Sequence, residues 1–171
     1  MTFQKIAIKD LSFNPFRKIS QEWFLITAGE AIESCNTMTA SWGSLGHLWK
    51  KDVVTVFIRP QRHTKTIINQ QSYFTLSFFG KEQKKALSFL GKVSGKDVPD
   101  KISQANLHPV KLEEGIAFEE AAMVFVVKKI YHDRIKPENF LVEGISEAIY
   151  PEQDYHEIFV AEIEAVYLKS E

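Results

Sequence analysis

NTMTASWG (36–43) places three hydroxyl side chains, one amide and one tryptophan within eight consecutive residues. The alternation of small polar and apolar residues predicts a β-strand with two different faces. One face carries Thr37, Thr39 and Ser41, and the other carries Met38, Ala40 and Trp42. In an ordinary half-buried strand the hydroxyl face would point to water. Small hydroxyls are equally suited to contact a bound ligand, and the strand alone leaves both alternatives open.

The first half of the chain predicts further strands around this one. An apolar run closed by Gly29 predicts a buried strand and a turn, and it forms a plausible hairpin with the strand that follows. Residues 44–51 predict a loop, and a β-branched run ended by Pro60 predicts a central strand. The predicted strands of this half are WFLITAGE (23–30), NTMTASWG (36–43), VVTVFIRP (53–60) and YFTLSFF (73–79).

Two helices interrupt the strands. TKTIINQQ (64–71) predicts a short helix with Thr64 as its N-cap, and EQKKALSFLGKV (82–93) has apolar residues at helical spacing up to Gly91. Residues 94–104 predict a loop. The last segment fits a helix or a strand, and its β-branched and aromatic residues favour a strand. The predicted strands of the second half are GIAFEEA (115–121), MVFVVKKIYHDRI (123–135), ENFLVEGISEAIY (138–150) and HEIFVAEIEAVYL (156–168).

Many strands at short spacing with few short helices predict a mostly β chain, folded as one closed or split barrel. The 171 residues fit a single domain, 1–171, and 44% hydrophobic with 25% charged residues is typical of a globular protein. A net charge of −1 gives no global attraction for nucleic acid or for an anionic membrane. The single cysteine, Cys35, excludes a disulfide framework and a cysteine-rich metal site.

The start of the chain, MTFQKIAIKDLSFNPF, carries Lys5 and Lys9 and has no continuous apolar run, so it does not resemble a signal peptide. No window approaches the roughly 18 apolar residues of a membrane span. We therefore expect a soluble cytoplasmic protein.

A basic cluster, RPQRHTKT (59–66), follows the central strand and opens the first predicted helix. Arginine side chains, hydroxyls and the free N–H groups of a helix N-terminus are the components of a phosphate site. The alternative is a solvated basic turn, but the position between a buried strand and a helix favours the site. A second loop rich in lysine and small residues, GKVSGKDVPDK (91–101), would by itself be an ordinary surface connection.

Taken in order, these segments resemble one family. NTMTASWG, a strand ending in R-P-x-R-x-T-x-x-I, a phenylalanine-rich strand, the V-SGKDV-DK loop and the terminal DYHEIFVAEIEAVYL are similar to the flavin reductase-like, FMN-binding split-barrel family. The resemblance runs from about Trp23 to Tyr167 and is nearest to the flavoredoxin-like branch. It implies a homodimer of Greek-key split barrels, each binding FMN noncovalently near the subunit interface.

The resemblance also implies a set of site residues. The strand would turn its hydroxyl face to the flavin, with Trp42 packing nearby, and Arg62 and Thr64 match the R-x-T of the family pattern. Trp42 could equally be a plain core residue, and this alternative is favoured over direct stacking on the ring. The flavin-lining residues would be Asn36, Thr37, Met38, Thr39, Ala40 and Ser41. The phosphate ligands would be Arg59, Arg62, His63, Thr64 and Lys65, while Ser94, Gly95 and Lys96 would contact the flavin or a nucleotide.

In such a protein the flavin carries the hydride chemistry and the chain orients it, so neither a protein nucleophile nor a metal is expected. The chain has no G-x-G-x-x-G, and NADH or NADPH would therefore stack on the exposed flavin face. His156 would hold the nicotinamide or a phosphate there; the alternative is an ordinary histidine at a strand start. His47, His63, His108 and His132 show no metal-ligand spacing.

Two functions follow from the resemblance. The first is an NAD(P)H:flavin oxidoreductase that passes electrons to free flavin or to an acceptor protein. The second is an FMN-binding electron carrier or redox sensor without efficient NAD(P)H oxidation of its own. A role like that of a pyridoxamine phosphate oxidase is a third, weaker alternative.

Overall fold

The computed structural model describes residues 3–170, and most of its regular structure is antiparallel sheet. This confirms the prediction of a mostly β chain with a few short helices. Residues 1, 2 and 171 of the predicted domain lie outside the described range. The strands are β1 Phe3–Ile6, β2 Phe24–Ala28, β3 Asn36–Ala40, β4 Gly43–Leu48, β5 Lys51–Ile58, β6 Tyr73–Phe78, β7 Pro109–Leu112, β8 Gly115–Phe118, β9 Met123–Arg134 and β10 Glu157–Lys169.

The helices are short. The α-helices are α1 Pro15–Arg17, α2 His63–Gln70, α3 Lys84–Lys92, α4 Lys101–Gln104 and α5 Ile145–Ile149. A π-helical turn (Lys18–Glu22) follows α1, and 3₁₀ turns occur at Ile8–Asp10, Ile32–Ser34, Lys81–Gln83 and Pro137–Asn139. Among residues 3–170, no helix is long and apolar enough to cross a membrane.

Eight strands form one sheet in the order β3-β2-β6-β9-β10-β5-β4, and β1 also pairs with β10. The long strand β10 organises this sheet: one of its edges pairs with β9 along its length. Its other edge pairs first with β5, from Glu157 opposite Ile58, and then with β1, ending at Lys169 opposite Phe3. β7 and β8 form a separate hairpin.

The part of the sheet formed by β2, β6 and the first five residues of β9 is covered on both faces, so these residues are almost all buried. Phe24 and Ile26 of β2 belong to one apolar cluster, whereas Leu25 between them belongs to a second cluster with residues of α3 and β8. β3 continues this alternation next to β2, with Met38 and Ala40 in the first cluster. The period of two seen in the sequence therefore decides which side chains of β3 face each layer.

Most of the predicted elements are confirmed. β2, β3, β6, β8 and β9 lie within the segments predicted as strands, β5 and β10 overlap theirs with ends shifted by one or two residues, and the ambiguous terminal segment is a strand. The helix predicted over 82–93 is α3, preceded by a 3₁₀ turn. The helix predicted over 64–71 is α2, but its N-cap position is Arg62 and not Thr64, and no side chain caps it. The loop predicted over 94–104 ends in α4.

The prediction of a loop over 44–51 is wrong, because β4 occupies most of it and pairs with β5. The connecting residues Trp49 and Lys50 both have positive φ, 53° and 61°. Tight hairpins need this conformation and normally use glycine or asparagine for it. The turn therefore had no sequence signature.

The strand predicted over 138–150 is also wrong. Gly144 has a φ of 84° and precedes α5, and a 3₁₀ turn occupies the start of the segment. Leu141 and Val142, the apolar residues that favoured a strand, are 97% and 62% exposed. Apolar residues that have no neighbouring strand to pair with do not form a strand, whatever their propensity.

Candidate functional site

Two adjoining cavities lie between β3, the start of α2 and the segment after α3. The larger of these two has a volume of about 350 Å³, and we call it the large cavity. The smaller, which we call the polar cavity, has a volume of about 150 Å³. Met38, Gln61 and Arg62 line both, so the two cavities adjoin at these residues. The large cavity is lined in addition by Thr39, Ala40, Ser41, Trp42, Phe57, Arg59, Gly91 and His156, and the polar cavity by Asn36, His63, Thr64, Lys92, Val93, Ser94, Gly95 and Lys101.

The hydroxyls of β3 are already bonded within the protein. Thr37 is fully buried; its hydroxyl lies 2.9 Å from that of Thr27 and donates to the carbonyl of Ile26 at 3.1 Å. Thr39 donates to the carbonyl of Leu87 in α3 at 2.5 Å. The expectation that this face turns to a ligand is therefore corrected for Thr37, whose side chain lines neither cavity. Thr39 and Ser41 do line the large cavity, together with Met38 and Ala40 of the opposite face.

Two buried contacts join β3 to α2 at the polar cavity. Asn36 donates from its amide to the hydroxyl of Thr64 at 2.8 Å, and both side chains are buried. The Nδ1 atom of His63 is buried without a hydrogen-bond partner in the described chain. The sequence analysis selected Asn36 in one segment and His63 and Thr64 in another. The structure brings all three together at the N-terminus of α2.

Arg62 is the cation shared by both cavities. Its guanidinium donates to the carbonyl of Gly91 at 2.8 Å, which fixes its orientation. Burial and the neighbouring charge of Arg59 lower the pKa of Arg62, but a guanidinium stays protonated at physiological pH. A half-buried positive charge thus sits at the junction of the cavities.

Gly95 brings the loop backbone against the polar cavity. A Cβ atom at this position would overlap with the amide oxygen of Asn36 and lie 3.3 Å from a ring carbon of His63. Ser94 precedes it on the cavity wall, and its hydroxyl accepts from the backbone N–H of Lys96 at 3.1 Å. The absence of a side chain at Gly95 therefore keeps this wall close to β3 and α2.

Lys101 belongs to the polar cavity, although the sequence analysis did not select it. It is 2% exposed, and its ammonium donates to the carbonyls of Thr37 at 2.7 Å and Val93 at 3.0 Å. Burial, with the charge of Arg62, lowers its pKa to about 8. The D-K at the end of the loop motif was the available signal, but nothing local to a predicted loop indicates burial.

Three predicted phosphate or nucleotide contacts lie outside the polar cavity. Arg59 lines the large cavity, but it is paired with Asp154 and donates to the carbonyl of Ile149 at 3.0 Å. Lys65 pairs with Glu157 at 2.7 Å. Lys96 has an exposed position and lines neither cavity.

His156 lies in the wall of the large cavity, 8% exposed. Its Nδ1 atom is 2.8 Å from the hydroxyl of Tyr150, and its ring centroid is 5.0 Å from that of Trp42. Burial, with the charge of Arg59, lowers its pKa to about 4, so the imidazole is neutral at pH 7. We call the group His156, Tyr150, Trp42 and Arg59 the histidine wall.

Trp42 is 44% exposed, so the alternative that made it a plain core residue is wrong. It directly follows Ser41, beyond the end of β3, where the chain leaves the buried part of the sheet. Its ring lies between the large cavity and a neighbouring apolar cavity lined by Phe16, Ile19 and Leu45. Within residues 3–170, no three His, Cys, Asp or Glu side chains are grouped closely enough to hold a metal ion.

The sequence profile of the family described as "Flavin reductase like domain" matches residues 16–171. No curated protein sequence matches this chain. Among solved structures, an FMN-binding domain of a flavin reductases-like enzyme from Shewanella baltica is similar at 14% identity, with a TM-score of 0.69 over 98% of this chain and 78% of that one. The flavoredoxin of Desulfovibrio vulgaris is 20% identical, with a TM-score of 0.66 over 96% and 76%.

A Streptomyces globisporus NADH:FAD oxidoreductase, solved in complex with NAD and FAD fragments, is also similar. It is 15% identical, with a TM-score of 0.64 over 85% of this chain and 73% of that one. At such identities the likeness shows a shared fold. That fold confirms the predicted split barrel.

Proposed function

This chain belongs to the flavin reductase like domain family, and we propose that it binds FMN across its two cavities and reduces it with NADH or NADPH. The observation that carries the proposal is that Arg62 lines both cavities. A small polar pocket that shares a cation with a larger neighbouring cavity suits the two ends of FMN, a phosphate and a tricyclic ring.

The polar cavity has the chemistry of a phosphate site. A phosphate monoester carries between one and two negative charges near neutral pH and offers acceptor oxygens. Arg62 and Lys101 supply positive charge, and the N-terminus of α2 supplies backbone N–H groups. The Nδ1 atom of His63, buried without a partner in the described chain, is explained if it donates to such a ligand.

The large cavity has the chemistry of a ring site. Met38, Ala40 and Phe57 offer an apolar surface without filling the space, and Ser41 and Gln61 add polar groups. β3 is the edge strand of the sheet, so part of its backbone faces away from β2. Those N–H and C=O groups suit the polar edge of an isoalloxazine, which has carbonyls and an N–H of its own.

When bound, FMN supplies the acceptor for a hydride from the nicotinamide, and electrons then pass to free flavin or to an acceptor protein. The chain's own residues bind the cofactor and orient it. Arg62 and the polar cavity hold the phosphate, β3 orients the ring, and neutral His156 lines the space where a second ligand can approach. We expect FMN to be preferred to FAD, because the sequence shows one phosphate-binding cluster and no second nucleotide motif.

Purification of the full chain, followed by a visible spectrum and anaerobic addition of NADH or NADPH, tests the proposal. We expect a yellow protein, or stoichiometric uptake of FMN in a fluorescence titration, and rapid bleaching by one of the two nucleotides. A flavin that is bleached by dithionite but not by either nucleotide would identify an electron carrier instead. No binding of FMN would overturn the proposal.

A further inference from the structure

The segment between β9 and β10 carries a tyrosine that reaches the histidine wall. Tyr150 follows α5 and is 5% exposed, and its hydroxyl lies 2.8 Å from Nδ1 of His156. This is the hydrogen bond that the described structure gives to the imidazole, and no carboxylate is bonded to that ring. Nδ1 is therefore occupied, and Nε2 is the ring nitrogen left to meet a ligand.

The direction of this hydrogen bond follows from the surroundings of the tyrosine oxygen. The Tyr150 side chain is buried, and Nδ1 of His156 is the hydrogen-bond partner of its hydroxyl among the described residues. A tyrosine hydroxyl has one hydrogen to donate, and a neutral Nδ1 without a proton can accept it. In the reverse arrangement, Nδ1–H would donate and the buried tyrosine hydrogen would have no acceptor among the described residues. Buried donors are rarely left unpaired.

We propose that Tyr150 is a positioning residue that holds His156 as the neutral tautomer with its proton on Nε2. The imidazole then faces the large cavity as a hydrogen-bond donor of fixed orientation and not as a cation. It suits an uncharged acceptor, such as a carboxamide or ring carbonyl oxygen, better than a phosphate. The identity of that ligand rests on the proposed function, whereas the tautomer does not.

The charges that face His156 keep it neutral. Arg59 and Arg62 both disfavour an imidazolium, and Asp154, which would favour one, is paired with Arg59. Trp42 lies beside the ring at a centroid distance of 5.0 Å and reduces its contact with water. Within the physiological pH range, the group thus acts through the position of one proton and not through its charge.

¹⁵N NMR of the full chain with FMN added, labelled at histidine, tests this assignment. We expect Nε2 of wild-type His156 to show the protonated shift and Nδ1 the unprotonated shift, unchanged between pH 5.5 and 8. His156→Gln identifies the signals by removing them. A wild-type spectrum with the proton on Nδ1, or with a charged ring at pH 7, would overturn the proposal whether or not any variant folds.

Tyr150→Phe removes the hydroxyl and keeps the ring. We expect a mixture of both tautomers, a higher pKa of His156, and reduction by NAD(P)H slowed by about tenfold, with FMN affinity and dithionite reduction unchanged. Tyr155→Phe is the matched control, because its hydroxyl bonds to Ser146 at 2.9 Å and its ring lies 4.7 Å from that of Tyr150. An unchanged tautomer in Tyr150→Phe would overturn the proposal.

The two proposals fail separately in this experiment. Wild-type protein that shows the Nε2–H tautomer but is not reduced by either nucleotide supports the role of Tyr150 and contradicts the oxidoreductase function. Wild-type protein that is reduced rapidly, with the same rate and the same tautomer in Tyr150→Phe, supports the function and contradicts the role of Tyr150.

Discussion

The polar cavity and the histidine wall are built in different ways. Around the polar cavity, hydrogen bonds join regular elements. The side chain of Asn36 in β3 bonds to that of Thr64 in α2, and the ammonium of Lys101 in α4 donates to the backbone carbonyl of Thr37. The histidine wall depends on the irregular segment 137–155, held against the sheet mainly through Arg59 and Asp154. Bonded, buried elements open less readily than exposed segments. We therefore expect a preformed phosphate pocket beside a more adaptable wall.

The largest effect should come from the histidine wall. His156→Ala should slow flavin reduction by NAD(P)H by about a hundredfold, because misplacing reacting atoms by about 1 Å can cost that much. FMN affinity should stay nearly intact, because the phosphate contacts of the polar cavity remain, and bleaching by dithionite should not change. Stopped-flow reduction with both reductants measures the difference.

His108→Ala is the matched control, since His108 is exposed and pairs with Glu120 away from both cavities. Equal rates with NAD(P)H in wild type and His156→Ala would make His156 a structural residue. A loss of FMN binding in His156→Ala would show that the two regions are not independent.

A smaller loss should come from the polar cavity. Arg62→Ala should weaken FMN binding by roughly 1.5–3 kcal/mol, about ten- to a hundredfold, because it removes a charge-assisted bond to phosphate. Riboflavin, which has no phosphate, should bind wild type and variant about equally. Fluorescence titration with both ligands measures this.

Arg17→Ala is the control for loss of an arginine, because Arg17 forms an exposed pair with Glu22. An equal loss for riboflavin and FMN would place Arg62 in the support of the cavity and not in phosphate binding. A thermal unfolding curve of Arg62→Ala shows whether the lost bond to Gly91 destabilises the chain.

The two regions should also respond to opposite ends of the pH scale. The pKa of His156 is lowered from 6.5 to about 4, so its contribution to stability is complete above pH 6.5 and is lost as the pH falls towards 4. The pKa of Lys101 is lowered from 10.5 to about 8, so the unfolded chain binds more protons between pH 8 and 10.5. Its contribution therefore rises with pH over that range.

Urea unfolding of wild type, His156→Gln and Lys101→Met across the pH scale measures these terms. The difference between wild type and each variant should change by about 1–3 kcal/mol, below pH 6.5 for His156 and above pH 8 for Lys101. A pH-independent difference for either variant would mean that the group titrates as it does in water.

The smallest effect on folding should come from the exposed apolar residues of segment 137–155. Leu141 is 97% exposed. Leu141→Asp should therefore change the free energy of unfolding of the single chain by at most about 0.5 kcal/mol. We expect wild type to be a homodimer of twice 19.6 kDa in light scattering, with this segment at the interface. Leu141→Asp should weaken the dimer, so the variant should dissociate at a higher protein concentration than wild type. Leu141→Met is the conservative control. A wild-type monomer that holds flavin would contradict the dimer.

The parts of the site that could be predicted are those encoded within a few residues. The strand-to-helix junction at Pro60 indicated a helix start, and the R-x-T of Arg62 and Thr64 indicated an anion site there. Trp42 and the 138–150 segment were misassigned, because apolar composition indicates burial only where another layer covers it. The Trp49–Lys50 turn was missed because positive φ at such residues depends on the strands that they connect.

The sequence by itself determined most strands and their order along the chain, the mostly β class, the alternation along residues 36–43 and the family. All of these depend on periodicity or on motifs read along the chain. Only the tertiary structure decided that the Thr37 hydroxyl is buried against β2, that Lys101 is buried against a carbonyl 64 residues away, and that Tyr150 contacts His156. The reason is physical: a side chain's role depends on the layer that covers it, and that layer comes from distant segments.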